Sequence, residues 1–273
     1  MHLRLVAPAL LAAFAPTSLP ADPLEPVGAL LEGLGLSEIV QIMREEGIAY
    51  GREMGVDLLP GGVSPAWDAA VRTIYDTDAM ADMVRAGFAA SFGTTDPAPL
   101  LAFFGSETGE KVVSLELSAR AAMIEDPVEE AARDAFRGVD GAADPRLALI
   151  ERFVDGNDLV ESNVVGALNA SYAFYLGLAD GDAIEMTESE IVSEVWSQEP
   201  ETRADSREWL YSYLLMAYGP LSDDELADYV ALSSSPEGQA MTRALFAGFN
   251  GMYAQISYAL GLAAAGQMKG QDL

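Results

Sequence analysis

The chain contains no cysteine, and its single histidine is the second residue, His2. Nucleophilic sites built on Cys-His or Ser-His-Asp, and metal sites built on imidazole or thiolate, therefore lack their parts once the first residues are set aside. Positive charge is scarce as well. Forty-three acidic side chains face fifteen basic ones, a net charge of -28, and only Lys111 and Lys269 are lysines. A surface this negative repels a phosphate backbone and gains nothing from anionic lipid, so nucleic-acid binding and electrostatic membrane docking are both excluded. Neither common type of phosphate-binding glycine loop occurs. No segment alternates apolar and polar residues as a half-buried strand would.

The amino terminus has its own pattern. "MHLRLVAPALLAAFAPTSLPADP" carries Arg4, an apolar stretch from Leu5 to Ala15 and small residues around Ala21. That order predicts a secretory signal peptide over residues 1–21, with Asp22 as the first residue of the exported chain. The apolar stretch is too short to span a bilayer, which takes about 20 residues. Removing it costs Arg4, His2 and no acid, so the exported chain would be more acidic still. A periplasmic or secreted protein follows, one that relies on its own core because it has no disulfide. Its length suffices for that.

Helix punctuation fills the rest. Ser64-Pro65, Asp96-Pro97, Asp126-Pro127, Asp144-Pro145 and Ser235-Pro236 each set a capping side chain before a proline. The side-chain oxygen can accept an orphaned N–H, and proline suits the first helical position. Thr187-Glu188-Ser189-Glu190 reads as a capping box. Apolar residues recur at intervals of three and four, as in Ile39, Ile42, Met43 and in Leu147, Ile150, Val154. The fold class expected is all-α, a helical bundle.

One phrase occurs twice. "FFGSETGEKVVSLELSARAAM" at 103–123 and "LSSSPEGQAMTRALFAGFNGM" at 232–252 both place serine three residues before glycine and then run on apolar. Ser106 and Ser235 would cap helices whose first turns contain Gly109 and Gly238. Glycine costs a helix about 1 kcal/mol against alanine, so its use there predicts close approach by a neighbouring backbone. Two similar multi-helix repeats are expected, 22–140 and 141–273, packed as one domain. An aromatic helix end followed by Ser235-Pro236-Glu237-Gly238-Gln239 and an amphipathic helix also resembles the bacterial domain of unknown function 2059 (DUF2059), and this second copy fits better than the first. The resemblance implies an exported helical protein. It brings no catalytic residues with it.

Two stretches lack charge altogether, Ser162–Ala179 and Ala244–Met268. The second is long enough to span a bilayer, but its Asn250, Gln255, Ser257, Gln267 and glycines favour an all-round buried central helix. The two should lie against each other through Gly166, Ala170, Gly248 and Gly251. Asn169, Tyr172, Asn250, Tyr253 and Tyr258 would then need partners, or would line a ligand cavity. The acidic loop with Asp180, Asp182 and Glu185 reads as a solvated loop, and Met80 with Met83 as packing rather than a copper site. No metal, cofactor or catalytic residue is expected. Two functional classes remain: a non-enzymatic module binding an envelope protein or a small apolar ligand, and a carboxylate-only hydrolase such as a glycosidase.

Overall fold

The structure, a computed structural model, describes residues 25–59, 61–141 and 144–269; the signal-peptide reading of 1–21 lies outside them. Helix follows helix: α1 (Glu25–Gly33), α2 (Leu36–Leu58), α3 (Pro65–Ile74), α4 (Thr77–Phe92), α5 (Ala98–Phe104), α6 (Glu107–Ala122) and α7 (Asp126–Val139). The second half continues with α8 (Pro145–Gly156), α9 (Leu159–Asp180), α10 (Glu188–Ser197), α11 (Glu199–Tyr218), α12 (Asp223–Ser233) and α13 (Pro236–Lys269). No strand occurs among the described residues. The protein is all-α.

Most caps fall where the sequence puts them. Ser64 Oγ accepts from the Trp67 N–H at 3.0 Å and Asp144 from Leu147 at 3.1 Å, while Asp96, one residue ahead of the α5 cap Pro97, accepts from Ala98 at 3.0 Å. Thr187 and Glu190 form the capping box, and Ser222 with Glu225 forms another. Asp126 departs from the expected cap as well. The carbonyl of Glu125 already accepts the first helical bonds, from Val128 and Glu129, so Asp126 sits inside the first turn of α7. There it complements the positive end of the helix rather than capping it.

The repeated phrase builds the same corner twice. Ser106 Oγ donates to Phe103 O at 2.6 Å and accepts from Gly109 N at 3.2 Å. Ser235 Oγ donates to Leu232 O at 2.6 Å and accepts from Gly238 N at 3.1 Å. A Cβ on Gly109 would lie 2.6 Å from Phe104 Cα, and one on Gly238 would lie 2.7 Å from Ser233 Cα, with the Phe103 and Leu232 carbonyl oxygens closer still. The close backbone is therefore the end of the preceding helix, folded back on the next. The likeness is one of corners, since α6 has 16 residues and α13 has 34.

Helix α13 organises the bundle. Its buried row runs by fours through Ala240, Ala244, Gly248, Met252, Ile256, Leu260 and Ala264, the ridge spacing of a packing helix. Helices α9 and α4 make the two most extensive contacts with it. The uncharged stretches of α9 and α13 thus lie against each other as expected, but through partly different residues. Gly177 and Gly261 meet backbone to backbone, and Gly166 receives the Asn250 side chain. Gly248 faces α4 instead, where a Cβ would come 2.7 Å from Val84 O. Gly251 is exposed with nothing near it, because it falls off the four-residue row. Nor is α13 buried all round: Gln255, Leu262 and Gly266 face outward. Among the described residues no single helix is long and apolar enough to cross a membrane.

One core joins both halves, with Trp67, Phe88, Met80, Ile150 and Tyr218 among its fully enclosed side chains. A smaller cluster of Val164, Leu168, Ile191 and Val195 seats α10 on α9.

Candidate ligand cavity

Helix α6 leaves its corner with an inward face of Val112, Val113, Glu116, Ala119 and Arg120, a run at helical spacing with two ionisable side chains in it. The corner sets that face, and a salt bridge from Lys111 to Glu225 (2.8 Å) ties α6 to α12. Lys111, followed by the Ser222 cap, lowers the Glu225 carboxyl to about 2. Opposite Glu116 stand aromatic residues of α11 and α12. Tyr229 stacks on Phe103 at 5.7 Å, and its ring meets those of Phe153 and Tyr218 at 5.3 and 5.8 Å.

These walls border an open-mouthed cavity of about 330 Å³. Its lining is chiefly apolar, from Met43, Leu214, Leu245, Phe246 and their neighbours, with Glu116, Arg120, Asn163, Asn250 and tyrosines as the polar points. A second chamber of about 160 Å³ shares Glu116, Tyr213, Tyr229 and Leu245 with it. The second chamber's remaining lining includes Leu31, Leu34, Leu36, Val113 and Leu117. Glu116 stands where the two meet.

The Glu116 carboxyl is held by tyrosines. Tyr218 donates to Oε1 at 2.6 Å and Tyr229 donates to the same atom at 3.2 Å, while Tyr213 donates to the Glu116 backbone carbonyl at 3.1 Å. Burial raises the carboxyl above its usual range, and the two phenolic hydrogen bonds offset only part of that. Tyr218 and Tyr229 are pushed well above the ordinary phenol range, by burial first and then by Glu116, so both keep their protons.

Arg120, one turn further along α6, is differently placed. It forks onto Glu46 of α2 at 2.7 and 2.6 Å and lies 4.9 Å above the Trp209 ring. Burial alone would lower its pKa, but the Glu46 hydrogen bonds outweigh it and the guanidinium stays charged. Arg120, Asn163 and Tyr253 also line a neighbouring cleft of about 550 Å³ bounded by Glu46, Glu53 and Glu129.

The five residues expected around a ligand are divided by the structure. Asn250 and Tyr253 line the cavity, and Asn250 Nδ2 approaches Ser162 O at 3.4 Å. Tyr258 bonds Asp180 at 2.9 Å on the surface, where Lys269 takes Asp182 at 2.6 Å. Asn169 and Tyr172 lie in a shallow groove between α9 and α10 with Val165, Val192 and Trp196, and Tyr172 donates to Glu188 at 2.8 Å. The rotation of α9 turns Asn169 and Tyr172 away from α13, while Asn163 of the same helix shares the cavity with Asn250 and Tyr253. Sequence reading missed Glu116, Arg120, Tyr213, Tyr218 and Tyr229. A signal for Glu116 was present: it is a lone acid between Leu115 and Leu117, on the stripe of Val112, Val113 and Ala119.

No curated protein and no solved structure matches the chain. A family model matches residues 78–137. The matched stretch runs from α4 into α7, so it contains the Ser106–Gly109 corner, Glu116 and Arg120. It falls on the first copy of the phrase, the reverse of the order of fit expected from Ser235–Gln239, and the expectation of two such domains is not met. Residues 78–137 are similar to the family described as "Uncharacterized protein conserved in bacteria (DUF2059)".

Proposed function

We propose that this chain is an exported protein of the bacterial envelope, periplasmic or secreted, that binds a small, mainly apolar ligand without transforming it. One observation carries the reading: an apolar cavity of about 330 Å³ in which a few tyrosines, Asn250 and one carboxyl converge. Small-molecule sites are commonly of this kind, apolar walls with a few oriented polar groups. Glycoside hydrolysis instead needs two carboxyls flanking the scissile bond. Among the described residues the lining of this cavity has one, Glu116, and the Glu46 carboxylate beyond it is held by Arg120. A protein partner is a second reading, favoured by Trp196, which is 63% exposed beside Val165 and Val192.

Native mass spectrometry of protein purified from its own envelope should reveal a co-purifying mass. An envelope lipid extract should raise the melting temperature, and Leu245→Trp, which fills the space shared by the two chambers, should abolish the rise. An unchanged melting temperature in the parent protein would overturn ligand binding. Amino-terminal sequencing of the exported chain should begin at Asp22; an intact Met1 on soluble cytoplasmic protein would overturn export.

A further inference from the structure

Glu116 has one carboxylate oxygen to spare. Both phenolic donors, Tyr218 and Tyr229, end on Oε1, and Oε2 has no hydrogen-bond partner among the described residues. The side chain lines both chambers at once, so a ligand lying across them would pass it. The smaller chamber offers hydrocarbon beyond that point, from residues such as Leu31, Leu34 and Leu117. Arg120 is the one cation among the described residues lining the larger chamber, and Glu46 already meets its charge through two hydrogen bonds.

We infer that Oε2 of Glu116 selects the polar end of the ligand, presenting an O–H to the carbonyl oxygen of an uncharged amphiphile whose apolar arm enters the leucine-lined chamber. This assignment rests on the ligand-binding function proposed above and adds the chemical class of the ligand. Oε1 accepts two hydrogen bonds, which leaves Oε2 as the oxygen to bear a proton. Burial favours that protonated form. A cationic head would require the carboxylate instead, in a site whose walls are apolar and aromatic, where an ion pair has to overcome the desolvation of both charges. A carboxylate head would meet no unpaired cation. An amide, ester or ketone oxygen would accept from the O–H of the protonated form that burial favours.

The discriminating variant is Glu116→Gln, because an amide keeps a donor where the protonated acid has one, yet it cannot pair with a cation. Isothermal titration calorimetry at pH 7 would compare octanamide with octylamine on the full chain and on Glu116→Gln and Glu116→Leu, each first checked for a cooperative melt. Octanamide should bind wild type and Glu116→Gln within about threefold of each other and bind Glu116→Leu about tenfold more weakly, the scale of one neutral hydrogen bond. Octylamine should bind wild type more weakly than octanamide. Preference for octylamine, lost in Glu116→Gln, would overturn the inference in favour of an ionised Glu116. Equal binding of both probes to wild type and Glu116→Leu would overturn the selection by Glu116 and leave the ligand cavity standing. If neither probe binds, stabilisation by the envelope extract overturns only the ligand class, and its absence overturns the binding function with it.

Discussion

Replacing Gly109 or Gly238 by alanine tests why the chain builds one corner twice. In an open helix the change stabilises by about 1 kcal/mol, because glycine gives up more backbone freedom on folding. At these two positions the added methyl would lie 2.6 Å from Phe104 Cα and 2.7 Å from Ser233 Cα, with a carbonyl oxygen nearer still. Both obstacles are backbone, so no side chain can swing aside and the corner itself must open. Opening stretches the serine cap, worth about 1 kcal/mol. It also forces overpacking where the helix ends meet, which costs about 1–3 kcal/mol. Set against the propensity gain, the net loss is about 1–3 kcal/mol, or about 2–4 °C of melting temperature for each kcal/mol in a domain of this size. Urea unfolding read at constant m gives the quantity directly. The two variants should lose similar amounts because their surroundings match. Gly251→Ala is the control: it is exposed, nothing lies within 4 Å, and it should gain about 1 kcal/mol. Corner variants as stable as the parent would refute the backbone-contact explanation, and so would a control that falls with them.

Alanine at Gly177 or Gly261 should destabilise by about 1–3 kcal/mol, since each Cβ would push on the facing helix, to within 2.9 Å of Leu262 N and 3.0 Å of Leu178 N. The double variant, measured by the same urea unfolding, should cost less than the sum, because one separation of α9 from α13 relieves both contacts. Glu116 has a pH signature. Its folded-state pKa is raised, by burial chiefly, so the folded chain keeps this proton to higher pH than the unfolded chain does. The stability it contributes is complete below the unfolded-state value and is lost as pH rises through the folded one. Urea titrations from pH 4 to 8 should show that decline in wild type relative to Glu116→Gln, and parallel curves would refute it. Glu225 runs the opposite way. Held at about 2 by Lys111 and then by Ser222, it contributes above the usual carboxylate range and loses that contribution as pH falls towards 2, which NMR titration of the carboxyl would follow.

What the sequence determined by itself is local. Ser64, Thr187 and Ser235 cap because the atoms they bond lie three residues ahead. The corner glycines are legible because the backbone that crowds them lies five and six residues back. The mutual packing of α9 and α13 was foreseeable too, since uncharged helices have nowhere to go but inward. Yet the contact residues were only half right: Gly251 and Gly261 look alike in sequence, and helix rotation alone decides which of them meets α9. The state of the Glu116 carboxyl lay beyond such reasoning. Its partners Tyr213, Tyr218 and Tyr229 are 97, 102 and 113 residues away. A glutamate on an apolar stripe can turn to solvent, pair with an arginine, or bury its carboxyl among phenols. Arg120, one turn on, takes the second course with Glu46. Only the tertiary arrangement of α11 and α12 assigns the third to Glu116, because burial and hydrogen bonding are set by neighbours in space, and those neighbours decide whether the group carries a charge.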